Sequence, residues 1–262
     1  MNLTFNILLF FVTLLGGLFP IVYRNWTEQK LHLLLTFSGA YLLSVTMLHL
    51  IPESASEMGF EMGIYMLIGF FLQQILQKFT HGLEHGHNHS HDHHHHQLPI
   101  ISVIIGMTVH AFAEGIPLGA VYQDHQTVPA LYLAIALHKL PEAMVIASLL
   151  LANKNSKWQA FLLLAAFSLL SPLSSFITHN YAIEWNGFAK MLPYIIAVVT
   201  GSFLHIGTTI FYESGNKLHS ISFKKWLATF TAIALAFLTM VGASHDHHYD
   251  QQEASEIHNH SH

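Results

Sequence analysis

Two histidine–glutamate pairs stand inside apolar stretches of this 262-residue chain. His110 and Glu114 occur in HAFAEGIPLG, and His138 and Glu142 occur in HKLPEA. The members of each pair are four residues apart, so on a helix they share one face, about 6 Å from each other. Two imidazole nitrogens and two carboxylate oxygens suit Zn²⁺, and such a set also accepts Fe²⁺, Mn²⁺ or Cd²⁺. If the two helices pack together, the four side chains form one metal site.

Prolines accompany both pairs and support this interpretation. Pro117 and Pro141 each lack the N–H of a helical residue, which frees the carbonyls of Ala113 and Leu137. Freed carbonyls at membrane depth are tolerated where they line protein or a wet cavity, and broken helices recur at transporter sites. A lone membrane histidine more often bonds a neighbouring helix. Two pairs with the same spacing, each near a proline, favour a metal site.

The elements that carry these pairs are predicted to be transmembrane helices. Of the residues, 52% are hydrophobic and only 10% are charged, whereas a soluble domain has about 25% charged residues. A span needs roughly 20 mostly apolar residues, and the first residues lack the basic region of a cleaved leader. The sequence therefore predicts an all-α polytopic membrane protein, a bundle of eight transmembrane helices near 3–22, 31–51, 60–79, 100–121, 127–152, 159–181, 190–213 and 221–243.

The cations are distributed unequally between the two sides of this predicted bundle. Eight of the ten lysines and arginines fall in the connections after spans 1, 3, 5 and 7, and only Lys190 falls in the opposite set. Lys139 belongs to neither. Cytoplasmic loops carry the excess of positive charge, so both termini are expected outside. The chain has no cysteine, which excludes disulfides and thiolate metal sites.

Two histidine-rich segments divide the chain into four parts: spans 1–3 in 1–80, a cytoplasmic loop in 81–97, spans 4–8 with the two histidine–glutamate pairs in 98–243, and an extracytoplasmic tail in 244–262. Neutral imidazole binds zinc, copper and nickel. The loop is predicted to collect or sense metal, although a merely solvated linker is the alternative. A purification tag is the alternative for the tail, but its histidines are irregularly spaced. The candidate ligands in the loop are His87, His89, His91, His93, His94, His95 and His96.

The HAFAEGIPLG and HKLPEA stretches resemble the fourth- and fifth-span signatures of the ZIP (Zrt-/Irt-like protein) family of metal-ion transporters. The predicted eight spans, outside termini and histidine-rich loop match as well, so the resemblance covers the whole chain. It implies a helical bundle that carries a divalent metal, usually zinc, into the cytoplasm. The transport site would lie in spans 4 and 5, and relatives are often homodimers.

Three positions depart from the pattern of family members that hold two metals. The second metal uses an asparagine, an aspartate and a glutamate, where this chain has Ala111, Lys139 and Ser171. We therefore expect a single metal, with the Lys139 ammonium near the place of the second ion. The alternative is that Lys139 extends into a water-filled vestibule and has little influence.

Further polar residues mark a route through the bundle. His49 and Glu53, in HLIPES at the outer end of span 2, are entrance candidates; with Glu57 and Glu61 they would form an acidic mouth that concentrates cations. Ordinary helix-end polarity is the alternative. His205 and Glu213 of span 7 are exit candidates. His205 fits equally well as a helix–helix hydrogen bonder.

Competing function classes fit the sequence less well. A membrane-embedded zinc hydrolase is one alternative, with Glu142 as general base, but the HExxH protease signature is absent. A metal efflux carrier is another, and its expected paired aspartates and cytoplasmic domain are not found. No GxxxxGK[ST] loop occurs, so the expected partners are a divalent cation and the lipid bilayer, without nucleotide or nucleic acid. The compact chain without cysteine suggests a bacterial inner membrane.

Overall fold

The computed structural model describes residues 3–22, 28–80, 100–122, 124–153, 155–213 and 222–239, and all regular structure in these ranges is helical. The helices confirm the predicted all-α class. They are α1 (Leu3–Val22), α2 (Glu28–Val45), α3 (Ile51–Met58), α4 (Met62–Thr80), α5 (Ile100–Leu118), α6 (Thr127–Ala152), α7 (Lys157–Glu184), α8 (Asn186–Glu213) and α9 (residues 223–239).

Six stretches of the described chain are long and apolar enough to cross a membrane. One of them, Lys30–Thr80, contains most of α2 and all of α3 and α4, and it is long enough for two crossings. Within it, α3 ends in a turn at Gly59, which has φ 60°. A side chain is strained at this φ, so glycine is the residue that the turn requires. The bounds of α1 and α6 coincide with two predicted spans, and α9 covers 17 residues of the last one.

A π-helical segment, Thr46–Leu50, joins α2 to α3. Pro52 lies in the first turn of α3 and has no N–H to donate into the preceding turn. Such local widening of a helix recurs at functional sites. It places the buried side chain of His49 inside the bundle.

The helices pack as two groups that meet along α2–α6 and α4–α5. In one group α1 lies along α6 and α5 lies along α7, and α1 also contacts α7. In the other group α2 and α4 both pack on α8. The helices that carry the two histidine–glutamate pairs, α5 and α6, have little direct contact with each other. Their relative position therefore depends on α1 and α7.

Backbones approach closely where α4 meets α8. A Cβ on Gly69 would lie 1.8 Å from the carbonyl oxygen of Val198, and a Cβ on Gly201 would lie 1.9 Å from that of Met66. Small residues allow such approach between membrane helices. A hydrogen bond of 2.8 Å from the Ser202 hydroxyl to Gln73 ties the same pair of helices together.

Candidate metal centre

The side chains of His110, Glu114, His138 and Glu142 converge at one buried point. Each offers a ligand atom, and these four atoms all lie within 4.8 Å of one another. His110 Nε2 lies 3.2 Å from Glu114 Oε1 and 3.5 Å from Glu142 Oε1, and His138 Nε2 lies 3.5 Å from Glu114 Oε1. The convergence predicted from the two HxxxE spacings is therefore present in the fold.

Small residues on the neighbouring helices set the position of the two pairs. A Cβ on Gly115, next to Glu114, would lie 2.2 Å from the carbonyl oxygen of Ser171, so α5 rests directly on α7. A Cβ on Gly16 would lie 3.0 Å from the carbonyl oxygen of Leu140, so α1 rests directly on α6. The α5–α6 separation at the site is therefore set by contacts on the far sides of these helices.

Lys139 lies in the same cluster and contacts one oxygen of each of the two carboxylates. Its Nζ lies 2.5 Å from Glu114 Oε2 and 2.5 Å from Glu142 Oε2. The Oε1 atoms of both glutamates face the imidazoles instead. The ammonium also lies 4.8 Å from the centroid of the Phe167 ring, a cation–π contact. Lys139 is 1% exposed, so it does not extend into an open vestibule here.

The side-chain atoms that face the centre of the cluster could bind a cation. Both ring nitrogens of His138 and the Oε1 atom of Glu142 are buried and have no hydrogen-bond partner among the described residues. Burial of polar atoms without partners is costly, and buried charges are normally paired or bound to metal. Two neutral imidazoles and two carboxylates therefore fit a divalent cation, with the Oε2 atoms left to Lys139.

The other two positions that differ from the two-metal pattern contact each other. The hydroxyl of Ser171 donates a 2.7 Å hydrogen bond to the backbone carbonyl oxygen of Ala111. Ser171 is buried, and its hydroxyl is used to join α7 to α5. Neither residue directs a side-chain ligand atom to the cluster.

The prolines do not break the helices. Pro141 lies inside α6, which is continuous from Thr127 to Ala152, and Pro117 lies one residue before the end of α5. The freed carbonyls therefore lie within or at the end of a continuous helix rather than at a break. Packing of α1 against α6 supports the helix on both sides of Pro141, so the loss of one N–H does not interrupt it.

The entrance candidates lie at the end of the bundle where α2 continues into α3. His49 is buried; its Nδ1 lies 3.4 Å from Asp124 Oδ2, and its Nε2 lies 3.5 Å from the Thr239 hydroxyl. Glu53 and Glu57 line one cavity of about 220 Å³. The third acid of the predicted mouth, Glu61, is not among the residues that line it.

The exit candidates are placed differently. His205 Nε2 lies 2.9 Å from Gln77 Oε1, and its ring packs edge-on against Phe70 at 4.8 Å. These contacts fit the alternative that His205 bonds a neighbouring helix. Glu213 is the last residue of α8, and its side chain lies outside the described part of the chain. The candidate loop histidines between His87 and His96, and the tail 244–262, lie outside it as well.

Sequence reasoning missed the residues whose importance depends on long-range contacts. Asp124 follows α5 and faces His49, and Phe167 of α7 faces Lys139. Neither stands in a motif with its partner. Only the histidine and lysine of these contacts stood out, because they are polar residues inside apolar stretches.

Comparison with known proteins agrees with this geometry. The model of the ZIP zinc transporter family matches residues 83–244, which is more than half of the chain. Zinc transporter ZIP9-B of Xenopus laevis is 30% identical over 133 residues, which are 46% of this chain and 42% of that protein. Zinc transporter ZIP9 of Macaca fascicularis is 36% identical over 77 residues, or 29% of this chain and 33% of that protein.

The chain thus matches less than half the length of each of these relatives. Both are animal proteins, so they lend no support to a bacterial inner membrane. The long apolar helices and the family match agree that this is an integral membrane protein. The chain belongs to the ZIP zinc transporter family, whose members are transporters and not enzymes.

Proposed function

We propose that this protein carries a divalent metal ion, in the first place Zn²⁺, across the membrane into the cytoplasm through a single-metal site. The ligands are His110, Glu114, His138 and Glu142. The observation that carries this proposal is the division of the carboxylates, whose Oε1 atoms face the imidazoles while their Oε2 atoms face Lys139. Fe²⁺, Mn²⁺ and Cd²⁺ are also compatible with this ligand set.

Lys139 takes the place of a second metal in this proposal. One divalent cation neutralises Glu114 and Glu142, and the ammonium supplies further positive charge on the opposite edge of both carboxylates. A second dication there would meet Lys139 at close range, and like charges repel strongly in a buried site. Ala111 and Ser171 offer no side-chain ligand to offset this repulsion.

The membrane topology that we propose is the one predicted from the sequence. We infer eight spans with both termini outside. In this topology α2 and α4 are separate spans, the chain changes direction between them at Gly59, and α9 is the eighth span. His49 and Glu53 then lie at the outer entrance, and His205 with Glu213 lies toward the cytoplasm. We expect the loop 81–97 to collect or sense metal at the exit, and the tail 244–262 to lie outside. A lipid bilayer surrounds the bundle, and a homodimer is expected from the family resemblance alone.

Zinc uptake into proteoliposomes tests the function and its direction. Vesicles that contain the protein are loaded with a zinc-sensitive dye, zinc is added outside, and initial rates are measured. The wild type is expected to transport, and His110→Ala or Glu142→Gln to lose at least about tenfold, since each removes a buried ligand. Thr200→Ala is the control, because the buried Thr200 hydroxyl donates to the Ile196 carbonyl of its own helix and to no other described residue. Equal rates in all four proteins would contradict the proposal.

Metal counting tests the single-metal site. The histidines in 81–97 and 244–262 are first replaced by serine, so that bound metal reports on the helices. One ion per chain is expected in this background and none in its Glu142→Gln variant. Lys139→Asp, alone and with Ala111→Asn and Ser171→Glu, is expected to raise the count to two. Two ions already present with Lys139 intact would contradict its assigned role.

A further inference from the structure

A groove of about 170 Å³ lies between α5, α6 and α7. α5 touches α7 at Gly115 and Gly119, where a Cβ would lie 2.2 Å and 2.3 Å from backbone carbonyl oxygens of α7. About two to three turns before Gly115, at Thr108 and Ile104, the groove separates the two helices, and residues of α6 complete its lining. None of the four candidate metal ligands lines it.

The lining of the groove is apolar apart from Thr108. At its rim, Ile104 is 40% exposed and Leu163 is 43% exposed. At its floor, Leu149 and Phe167 are each 8% exposed. The groove therefore opens to the surroundings of the bundle on one side and ends on largely buried residues on the other.

The groove lies at the depth of the membrane hydrocarbon. α7 has 28 residues, so it is about 42 Å long and extends about 6 Å beyond each side of a hydrocarbon core of about 30 Å. Leu163 and Leu170 line the groove and lie about 9 Å and about 20 Å along α7 from Lys157. Exposed side chains beside it, such as Ile105 and Leu169, are apolar as well. The molecules that surround the rim are therefore acyl chains of the bilayer.

An acyl chain fits the groove better than water, a second copy of the protein or empty space. A cavity with an apolar lining stays dry, and one of about 150 Å³ holds a group of the size of benzene. An empty groove would lose the dispersion contacts of its walls. A helix of a second copy is about 10–12 Å across with its side chains, so it could cover the groove but not enter it. The groove runs roughly 10 Å along α7, from Leu163 to Leu170, which suits a linear chain.

We propose that the groove between α5, α6 and α7 is a binding site for one acyl chain of a membrane phospholipid. The chain enters at Ile104 and Leu163 and contacts Leu149 and Phe167 at the floor. The centroid of the Phe167 ring also lies 4.8 Å from Lys139 Nζ, so the chain contacts the same ring that contacts the central cluster. The site is separate from the metal ligands, and it does not depend on the proposed transport function.

Photolabelling in proteoliposomes tests this site. The full-length protein is reconstituted, without added metal, in phosphatidylcholine that carries a diazirine in one acyl chain, and mass spectrometry locates the labelled residues after irradiation. In the wild type, label is expected on Leu149 and Phe167 as well as on the exposed residues Leu162 and Leu169. Label on the exposed residues alone would mean that lipid only surrounds the bundle, and it would overturn the proposal.

Ala166→Phe fills the groove, because Ala166 lines it. Label on Leu149 and Phe167 is expected to fall at least about fivefold, since the added ring takes the space of the chain in a closely packed site. Ala234→Phe is the matched control: Ala234 is an exposed residue of α9 that does not line the groove. It should label as the wild type does. Unchanged label in Ala166→Phe, or an equal loss in the two variants, would overturn the proposal.

Leu163→Ala provides a second test that does not insert a large ring. It removes part of the rim at an exposed position and is expected to raise the label on Phe167 about twofold, because the surroundings only partly close the space that is left. Leu162→Ala removes the same side chain at the adjacent position, which does not line the groove, and should leave the label on Phe167 unchanged. An equal response of the two variants would contradict the site.

The rim residues distinguish lipid from a protein partner. Label on Ile104 and Leu163 is expected in the wild type, because the chain enters between them. Absence of label from both would indicate that a second copy covers the groove, and it would overturn the proposal. Zinc uptake is measured in vesicles of the same preparation. Loss of uptake with the labelling pattern intact would contradict the transport function and not the acyl-chain site.

Discussion

The hydroxyl of Ser171 donates a 2.7 Å hydrogen bond to the backbone carbonyl oxygen of Ala111. The bond joins α7 to α5 one turn before Glu114. The same contact brings Gly115 against the backbone of Ser171. Ala111 and Ser171 thus hold α5 and α7 together.

Ser171→Ala is expected to destabilise the folded protein by about 1 kcal/mol, the usual net value of one buried hydrogen bond. The measurement is thermal or denaturant unfolding in detergent. Ser168→Ala is the matched control, because the equally buried Ser168 hydroxyl bonds the Leu164 carbonyl within its own helix. A smaller loss is expected there. Equal losses in the two variants would mean that the bond between the helices adds nothing.

Lys139→Met is expected to destabilise the metal-free protein by about 3–5 kcal/mol, because removal of one partner leaves the buried charges of Glu114 and Glu142 unpaired. Zinc should then raise the Tm of the variant more than that of the wild type, since the ion supplies positive charge to the same carboxylates. Differential scanning fluorimetry with and without zinc measures both effects.

Lys190→Met serves as the control for this experiment, because Lys190 is an exposed residue of α8. It should leave the Tm and its zinc dependence unchanged. The assigned role of Lys139 fails if Lys139→Met has the stability of the wild type without metal.

Gly201→Ala is expected to destabilise the protein strongly, by about 1–3 kcal/mol or more, because overpacking forces backbone shifts. The added Cβ would lie 1.9 Å from the Met66 carbonyl oxygen of α4. Gly63→Ala lies near the start of α4, where a Cβ meets nothing within 4 Å. It should be neutral or stabilising, by up to about 1 kcal/mol. Unfolding curves of the two variants distinguish close packing from helix propensity.

Tyr132→Phe is expected to destabilise the protein by about 1–3 kcal/mol, because it leaves buried polar atoms without their partner. The Tyr132 hydroxyl lies 3.0 Å from Asn6 Oδ1 and 3.2 Å from the Ser175 hydroxyl, and Asn6 also donates to Ser175 at 3.3 Å. This triangle ties α1, α6 and α7 together. Asn6→Ala should cost a similar amount, and the double variant less than the sum of the two, as a double-mutant cycle would show.

The sequence alone predicted the long apolar helices and the two histidine–glutamate pairs whose side chains converge in the fold. Apolar length defined the spans, and the i, i+4 spacing placed His110 with Glu114 and His138 with Glu142. These properties are local: the helix period and the cost of polar groups in an apolar segment determine them. The predicted span of 127–152 coincides with α6 for this reason.

The contacts around the ligands depended on the fold. The rotation of α6 about its axis determines whether Lys139 points into the cluster or toward water. The packing of α6 on α1 sets this rotation. The orientation of Glu114 follows from the close packing of α5 against α7 at Gly115. Glu53 and Tyr122 line one cavity only because the residues after α5 and the start of α8 meet α3 there. Such contacts join residues far apart in the chain, so no spacing in the sequence records them, and packing of whole helices determines which side chains meet.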